Sequence, residues 1–237
     1  MEKRGTSNIE FIISFVLFAG FIAAIFYFFN PIRSVSYMDS SLKYVIGEIE
    51  KNTSIELDEV SVFIDNNAPD KVKFEVPGIS ENKKVDARNY YGVKFSAKRD
   101  PNNKKKIHVD RKKSDKDKEN FLILRFSEEF KEESVEGEPI DKKKYEISTR
   151  DSRKVISESK VEQLKQLYDN DYLGLKEELG IPANIDFAFS LELEGSNKIE
   201  AKRSIPGRAE IFTKGKLIEV LKKDETTETG YMTIMIW

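Results

Sequence analysis

A carboxylate stands at the edge of a long apolar run: Glu10 precedes Phe11–Phe29 and itself follows Lys3, Arg4, Gly5 and Thr6. An acidic side chain beside hydrocarbon is costly unless it meets a cation, so the position of Glu10 asks for a partner. The chemistry open to it is ion pairing in a setting of low dielectric, not bond making. Other reactive types are sparse. His108 is the sole histidine and the chain has no cysteine, which removes His-based triads, thiolate nucleophiles and His/Cys metal centres. There is no Gly-x-Ser-x-Gly elbow, no Gly-x-Gly-x-x-Gly turn and no phosphate-binding Gly-Lys-Ser/Thr loop. Asp169, Asn170, Asp171 and Gly174 are spaced a little like a calcium loop, but Leu173 and Gly180 fall where oxygen ligands are needed. These residues are expected to break a helix instead. No cofactor or metal is expected, and the sequence reads as that of a protein without catalytic activity.

The element that positions Glu10 is the run FIISFVLFAGFIAAIFYFF, 19 residues without a charge. As a helix it reaches about 28 Å, close to the thickness of bilayer hydrocarbon. A secretory signal has a shorter apolar core and a small-residue cleavage site, whereas this run continues through Tyr27, Phe28 and Phe29 into Asn30 and Pro31. Pro31 is expected to end or kink the helix, and Tyr27 suits the membrane interface. Ala19, Gly20, Ala23 and Ala24 form two small-xxx-small pairs, the spacing at which helix backbones approach closely in lipid. The expectation is a single-pass protein in the cell membrane, its amino terminus cytoplasmic and its large hydrophilic remainder extracellular.

On these residues the chain resembles the archaeal type IV pilin-like proteins that carry a class III signal peptide. The resemblance covers roughly the first 30 residues and rests on the basic pair Lys3 and Arg4, on Gly5, on the spacing to Glu10 and on the apolar run. It implies that a prepilin peptidase cuts after Gly5, that Thr6 becomes the new amino terminus, and that Glu10 becomes the fifth mature residue. Thr6 stands where many members carry Gln. The exposed α-amino group, with an unperturbed pKa near roughly 8, would then meet the Glu10 of a neighbouring subunit, giving a compensated pair that sets axial register. The implied partners are the membrane, a prepilin peptidase and other pilin-like subunits, alike or different. The implied function is structural: a subunit, major or minor, of a type IV pilus-like filament. The alternative is a monomeric bitopic envelope protein that binds a surface ligand through a basic segment.

That segment is residues 98–118, with ten Lys or Arg against four Asp. Lys104, Lys105, Lys106, Arg111, Lys112 and Lys113 are its candidate contacts to a polyanion: nucleic acid, an acidic surface polysaccharide or lipid head groups. It carries no aromatic residue on which a base could stack, and a solvated hairpin tip or loop is the plainer expectation. The net charge of −2 gives no general attraction to polyanions. Asn52-Thr53-Ser54 is a glycosylation sequon, expected in a loop between helix and strand.

The remaining pattern predicts an α+β chain: a leader over 1–5, an assembly helix over 6–30, a helical stalk over 31–54 and a mostly antiparallel β domain with helices over 55–237. Leu42, Val45, Ile46 and Ile49 fall at helical spacing. Alternation predicts strands at 59–64, 71–76, 91–97, 120–126 and 144–149. A helix is expected from a capping box of Ser159 and Glu162, then a second short helix closed by Gly180 and Pro182. Strands are expected again at 185–193, 198–204, 208–212, 216–221 and 231–237, the last of them apolar on both faces and central in its sheet, with helices or a second layer covering it.

Overall fold

The computed structural model describes residues 4–28, 31–112, 118–195 and 198–237. An apolar helix, α1 (Arg4–Phe28), comes first and is followed by α2 (Pro31–Thr53). Pro31 is the first residue of α2, where its missing N–H removes no helical bond. The helical stretch expected over 31–54 packs on the domain, with Leu42, Val45 and Ile49 buried in the core.

The helix α2 passes into β1 (Ser54–Ile64) with no residue between them. Thr53 Oγ1 donates to Ile49 O at 2.7 Å and Asn52 Nδ2 to Glu48 O at 2.8 Å, so side chains satisfy last-turn carbonyls that would otherwise need a cap. The loop expected around Asn52 is therefore absent.

Next come β2 (Lys71–Glu75), β3 (Lys84–Arg88), β4 (Lys94–Phe95), β5 (Ala97–Arg99), β6 (Lys106–Asp110), β7 (Phe121–Ser127), β8 (Glu138–Pro139) and the long β9 (Tyr145–Ser157). Two helices follow, α3 (Glu158–Asn170) and α4 (Tyr172–Glu178). The chain closes with β10 (Phe187–Leu193), β11 (Ile199–Ala201), β12 (Phe212–Leu221) and β13 (Thr227–Ile236).

The cap of α3 is Ser157, not the expected Ser159. Ser157 is held extended as the last residue of β9 and accepts from Lys160 N at 3.1 Å. Glu162, freed from a capping role, pairs with Lys223. Asp171 separates α3 from α4 and accepts from Gly174 N at 3.0 Å, which confirms the helix break. Gly180 follows α4 at φ +64°, a conformation that L side chains avoid.

One sheet has the order β11-β10-β13-β12-β9-β1-β7-β3-β4, and a second the order β5-β6-β2-β8. The larger sheet is antiparallel except at its middle. There β12 and β9 run parallel and pair only through Val220 with Ile156 and Leu221 with Ser157. It is therefore two leaves meeting at a narrow bridge. On the first leaf, β9-β1-β7-β3-β4, the smaller sheet packs to bury Val60, Val62, Leu122, Leu124, Phe74 and Ile107. On the second, β11-β10-β13-β12, helices α2, α3 and α4 pack to bury Leu164, Tyr168, Phe187, Phe189, Ile234 and Ile236. Tyr168 Oη donates to Phe187 O at 2.7 Å, so its hydroxyl stays satisfied inside the core. β13 is central and covered by helices, as expected, the helices lying on one of its faces. Met232, Ile234 and Ile236 are buried while Tyr231 on the opposite face is 45% exposed.

The leaves are joined by Leu57, Phe130, Val155 and Leu221 and by the turn between β12 and β13. Glu225 in that turn has φ +67° and is buried. Its carbonyl accepts from Arg88 Nη2 at 3.1 Å and from Arg125. Its carboxylate accepts from Lys94 Nζ at 2.5 Å and Lys131 N at 2.6 Å. Arg125 and Arg88 also hold the fully buried Asp86, at 2.5 Å and 2.8 Å. A turn from one leaf is thus seated in a charged socket of the other. Desolvation pulls the Lys94 ammonium down, but Glu225, Asp86 and Glu133 outweigh it and hold the group above its ordinary range.

Candidate functional site

The feature that calls for a function is α1. From Ile9 to Tyr27 it is long and apolar enough to cross a membrane, with mean hydropathy 2.5, and none of that stretch is buried within the fold. Phe11 is 73% exposed, Leu17 69% and Phe26 70%. A dozen such side chains, at about 1.5 kcal/mol or more each, would leave on the order of 20 kcal/mol of unfavourable apolar hydration in water. An apolar surface of this extent suits lipid or another apolar chain, and the domain of this chain does not cover it.

Arg4, Gly5 and Thr6 form the first turn of α1, and Lys3 lies outside the described residues. Helical N–H groups in a first turn have no intrahelical acceptor, so this turn frays at little cost. Glu10 lies six residues beyond Arg4 and is exposed. It is flanked by Ile9 and Phe11, both also exposed. Ala19, Gly20, Ala23 and Ala24 lie further along the helix, all exposed. A Cβ placed on Gly20 would meet nothing within 4 Å, so a second helix has room to come close there. The structure thus gathers an apolar rod, a carboxylate near its start and a small-residue stripe on one uncovered element.

The basic segment divides differently from the sequence expectation. Ala97–Arg99 and Lys106–Asp110 pair as a hairpin of the smaller sheet, with Ile107 and Val109 fully buried. Lys104 and Lys105 lie exposed at its tip and Lys106 is half-buried. Arg111 is a correction: it is wholly buried, its Nη1 donating to Asp65 O at 3.0 Å. Its backbone is the reason, because Arg111 N donates to Asp70 O and Arg111 O accepts from Glu119 N, which turns the side chain inward. Burial pulls this guanidinium down from its ordinary range, opposed by Asp70, Asp65 and Glu119. Lys112 pairs with Asp70 at 3.8 Å, and Lys113 lies outside the described residues. Of the six candidate contacts, Lys104 and Lys105 are the ones fully exposed among the described residues, at a hairpin tip.

His108 is also not a loop residue. It is buried in β6, with Nδ1 accepting from Gly137 N at 3.0 Å and Nε2 placed 3.1 Å from Asp100 Oδ2. The Gly137 contact requires an acceptor at Nδ1, so the proton sits on Nε2 and faces Asp100. Lys73 and the Asn102 and Asn103 N–H groups, with His108, press the Asp100 carboxyl far below the usual carboxylate range. This cluster ties β6 to β2 and to the segment before β8.

Asn52 is exposed in the last turn of α2, its amide already donating to Glu48 O. The carboxylates near the α3–α4 break are committed: Asp169 pairs with Lys165, Asp171 caps α4, and Asp186 takes Lys176 at 3.1 Å and Tyr172 Oη at 2.8 Å. Sequence reasoning missed the Asp86, Arg125 and Glu225 socket, whose members lie far apart in the chain and carry no shared spacing. It also missed the split between β9 and β12, which depends on where two strands part. Set against family models, curated proteins and solved structures, the chain matches none.

Proposed function

We propose that this chain is a membrane-anchored, pilin-like subunit of a type IV pilus-like surface filament, with its α+β domain outside the cell. The observation that carries the reading is α1: an apolar helix left bare by its own domain, with Glu10 near its start. Lipid before assembly and neighbouring helices after it would both supply the missing cover. Cutting after Gly5 would place an α-amino group four residues before Glu10. Neither charge is cheap in hydrocarbon alone, and a contact between Glu10 of one subunit and the amine of the next offsets both. The stripe at Ala19, Gly20, Ala23 and Ala24 allows helices to approach in such a bundle.

The rival reading is a solitary bitopic protein that holds a polyanion through residues 98–118. It loses Arg111 to the interior and Lys112 to Asp70. The deciding experiment is expression with and without a prepilin peptidase, followed by intact-mass measurement and imaging of material sheared from the cell surface. The expected result is a chain shortened by its first five residues and filaments that disappear in the Glu10→Gln variant while the protein stays in the membrane. An untrimmed chain, or filaments unaffected by Glu10→Gln, sinks the proposal and leaves a single tethered domain.

A further inference from the structure

The larger sheet is split. Beyond their two-residue bridge, β9 and β12 diverge, and among the described residues the backbone of 146–155 bonds only to β1 and that of 212–219 only to β13. Each strand therefore has one open edge, and where they part residues 154–156 and 216–219 line a groove of about 500 Å³ walled on a third side by Gly47, Glu50 and Lys51 of α2, with Arg153 reaching across the split to Glu219 at 2.9 Å. The centre of β9 is exposed on both faces from Ser148 to Ser152, as a sheet edge is, although the strand lies fifth in the nine-strand order.

We propose that this split receives an extended segment of a partner polypeptide, carrying carboxylates along one face, as an added strand. Rows of free N–H and C=O groups on two walls fit a partner that offers the same groups on both sides at about 3.3 Å per residue, which a peptide strand does and a glycan or lipid does not. The side chains give the preferred sequence. The walls present Lys51, Lys154 and Lys216, with Lys214 beside them in a small adjoining hollow next to Glu50 and Ile46, while Leu217 is 68% exposed. Lys216 and Lys51 are answered by Glu50 and Glu48, but Lys154 and Lys214 have no ion pair among the described residues. A strand with Glu or Asp at alternate positions and apolar residues between them matches this lining. The inference is independent of what covers α1. The simpler account is that these charges only guard the edges against unwanted pairing.

The test uses the full chain in non-ionic detergent micelles and a fluorescein-labelled octapeptide of alternating Glu and Val. Saturable binding by anisotropy is expected, together with slowed hydrogen exchange in 146–155 and 212–219. The double variant Lys154→Glu, Lys214→Glu is expected to weaken binding by roughly tenfold or more. Gly47→Phe is a second variant that leaves the core alone, since a Cβ at Gly47 meets nothing within 4 Å. It is expected to fill the groove and block the peptide. Absence of saturable binding at millimolar peptide overturns the inference, as does equal binding by a peptide N-methylated at alternate residues, which would reduce the groove to a charged surface. Protection of the same two segments without peptide, accompanied by dimers in sedimentation, would make a second copy the occupant and overturn the assignment to a separate partner.

Discussion

Replacing Glu225 by alanine and by glycine separates two contributions that the native residue combines. The carboxylate receives Lys94 and Lys131 N, and the backbone sits at φ +67°. Alanine removes both carboxylate bonds and keeps the left-handed backbone. A hydrogen bond to a charged group contributes about 1.5–3 kcal/mol, and the low end applies because Lys94 is partly exposed and regains water, so Glu225→Ala is expected to cost about 2–3 kcal/mol. Glycine loses the same bonds but relieves a left-handed penalty of about 1–2 kcal/mol, less about 0.5–1 kcal/mol for the freer unfolded chain. Glu225→Gly should therefore be the more stable of the two by about 0.5–1 kcal/mol. The measurement is urea unfolding of the full chain in micelles, followed by far-ultraviolet circular dichroism and by the fluorescence of Trp237, the sole tryptophan. A glycine variant less stable than the alanine variant would refute the backbone assignment. An alanine variant within about 0.5 kcal/mol of the native chain would show that the turn does not dock in its socket.

Three further outcomes are expected. Ser157→Ala should destabilise by about 0.5–2 kcal/mol and Ser159→Ala by much less, measured by the same unfolding curves, because only Ser157 caps α3. Acid should weaken the domain through Asp100: its folded carboxyl is depressed, so its contribution is complete above the unfolded value near about 4 and lost as pH falls through the folded one. Asp100→Asn should flatten the fall of the urea midpoint below about pH 4, and an unchanged slope would dismiss the Lys73 and His108 contacts. Arg111→Ala should lower the unfolding midpoint clearly while Lys104→Ala with Lys105→Ala leaves it in place, since the first is interior and the others sit at a hairpin tip. The reverse order would contradict the burial of Arg111.

Period and punctuation made much of the fold legible. Leu42, Val45 and Ile49 mark the buried stripe of α2, and alternation marks β1, β2, β7 and β13. Gly180 marks the end of α4 through a backbone angle that a sequence announces plainly. Elsewhere the local signal pointed away. Strand β6 reads as a solvated basic run because Lys104, Lys105, Arg111 and Lys112 flank it, yet Ile107 and Val109 bury it and Asp100 satisfies His108 inside. Ser159 and Glu162 have capping-box spacing, but the cap was decided by where β9 stops, a tertiary fact. Both faces of β13 are apolar in sequence, and nothing local says that helices cover only one. For the candidate site, the apolar run and Glu10 were visible at once because each is expensive in the wrong medium. The groove was not, since it arises from divergence of strands whose own residues look ordinary.

The seamless passage from α2 into β1 has a mechanical meaning. Thr53 and Ser54 leave no slack, so a pull on the helix travels straight down the strand. β1 is clamped between β7 and β9, whose antiparallel bonds lie across its axis. Tension arriving along α2 would therefore shear many bonds together instead of unzipping them one after another. The domain would meet such a pull in shear, the loading that hydrogen-bonded strands resist best.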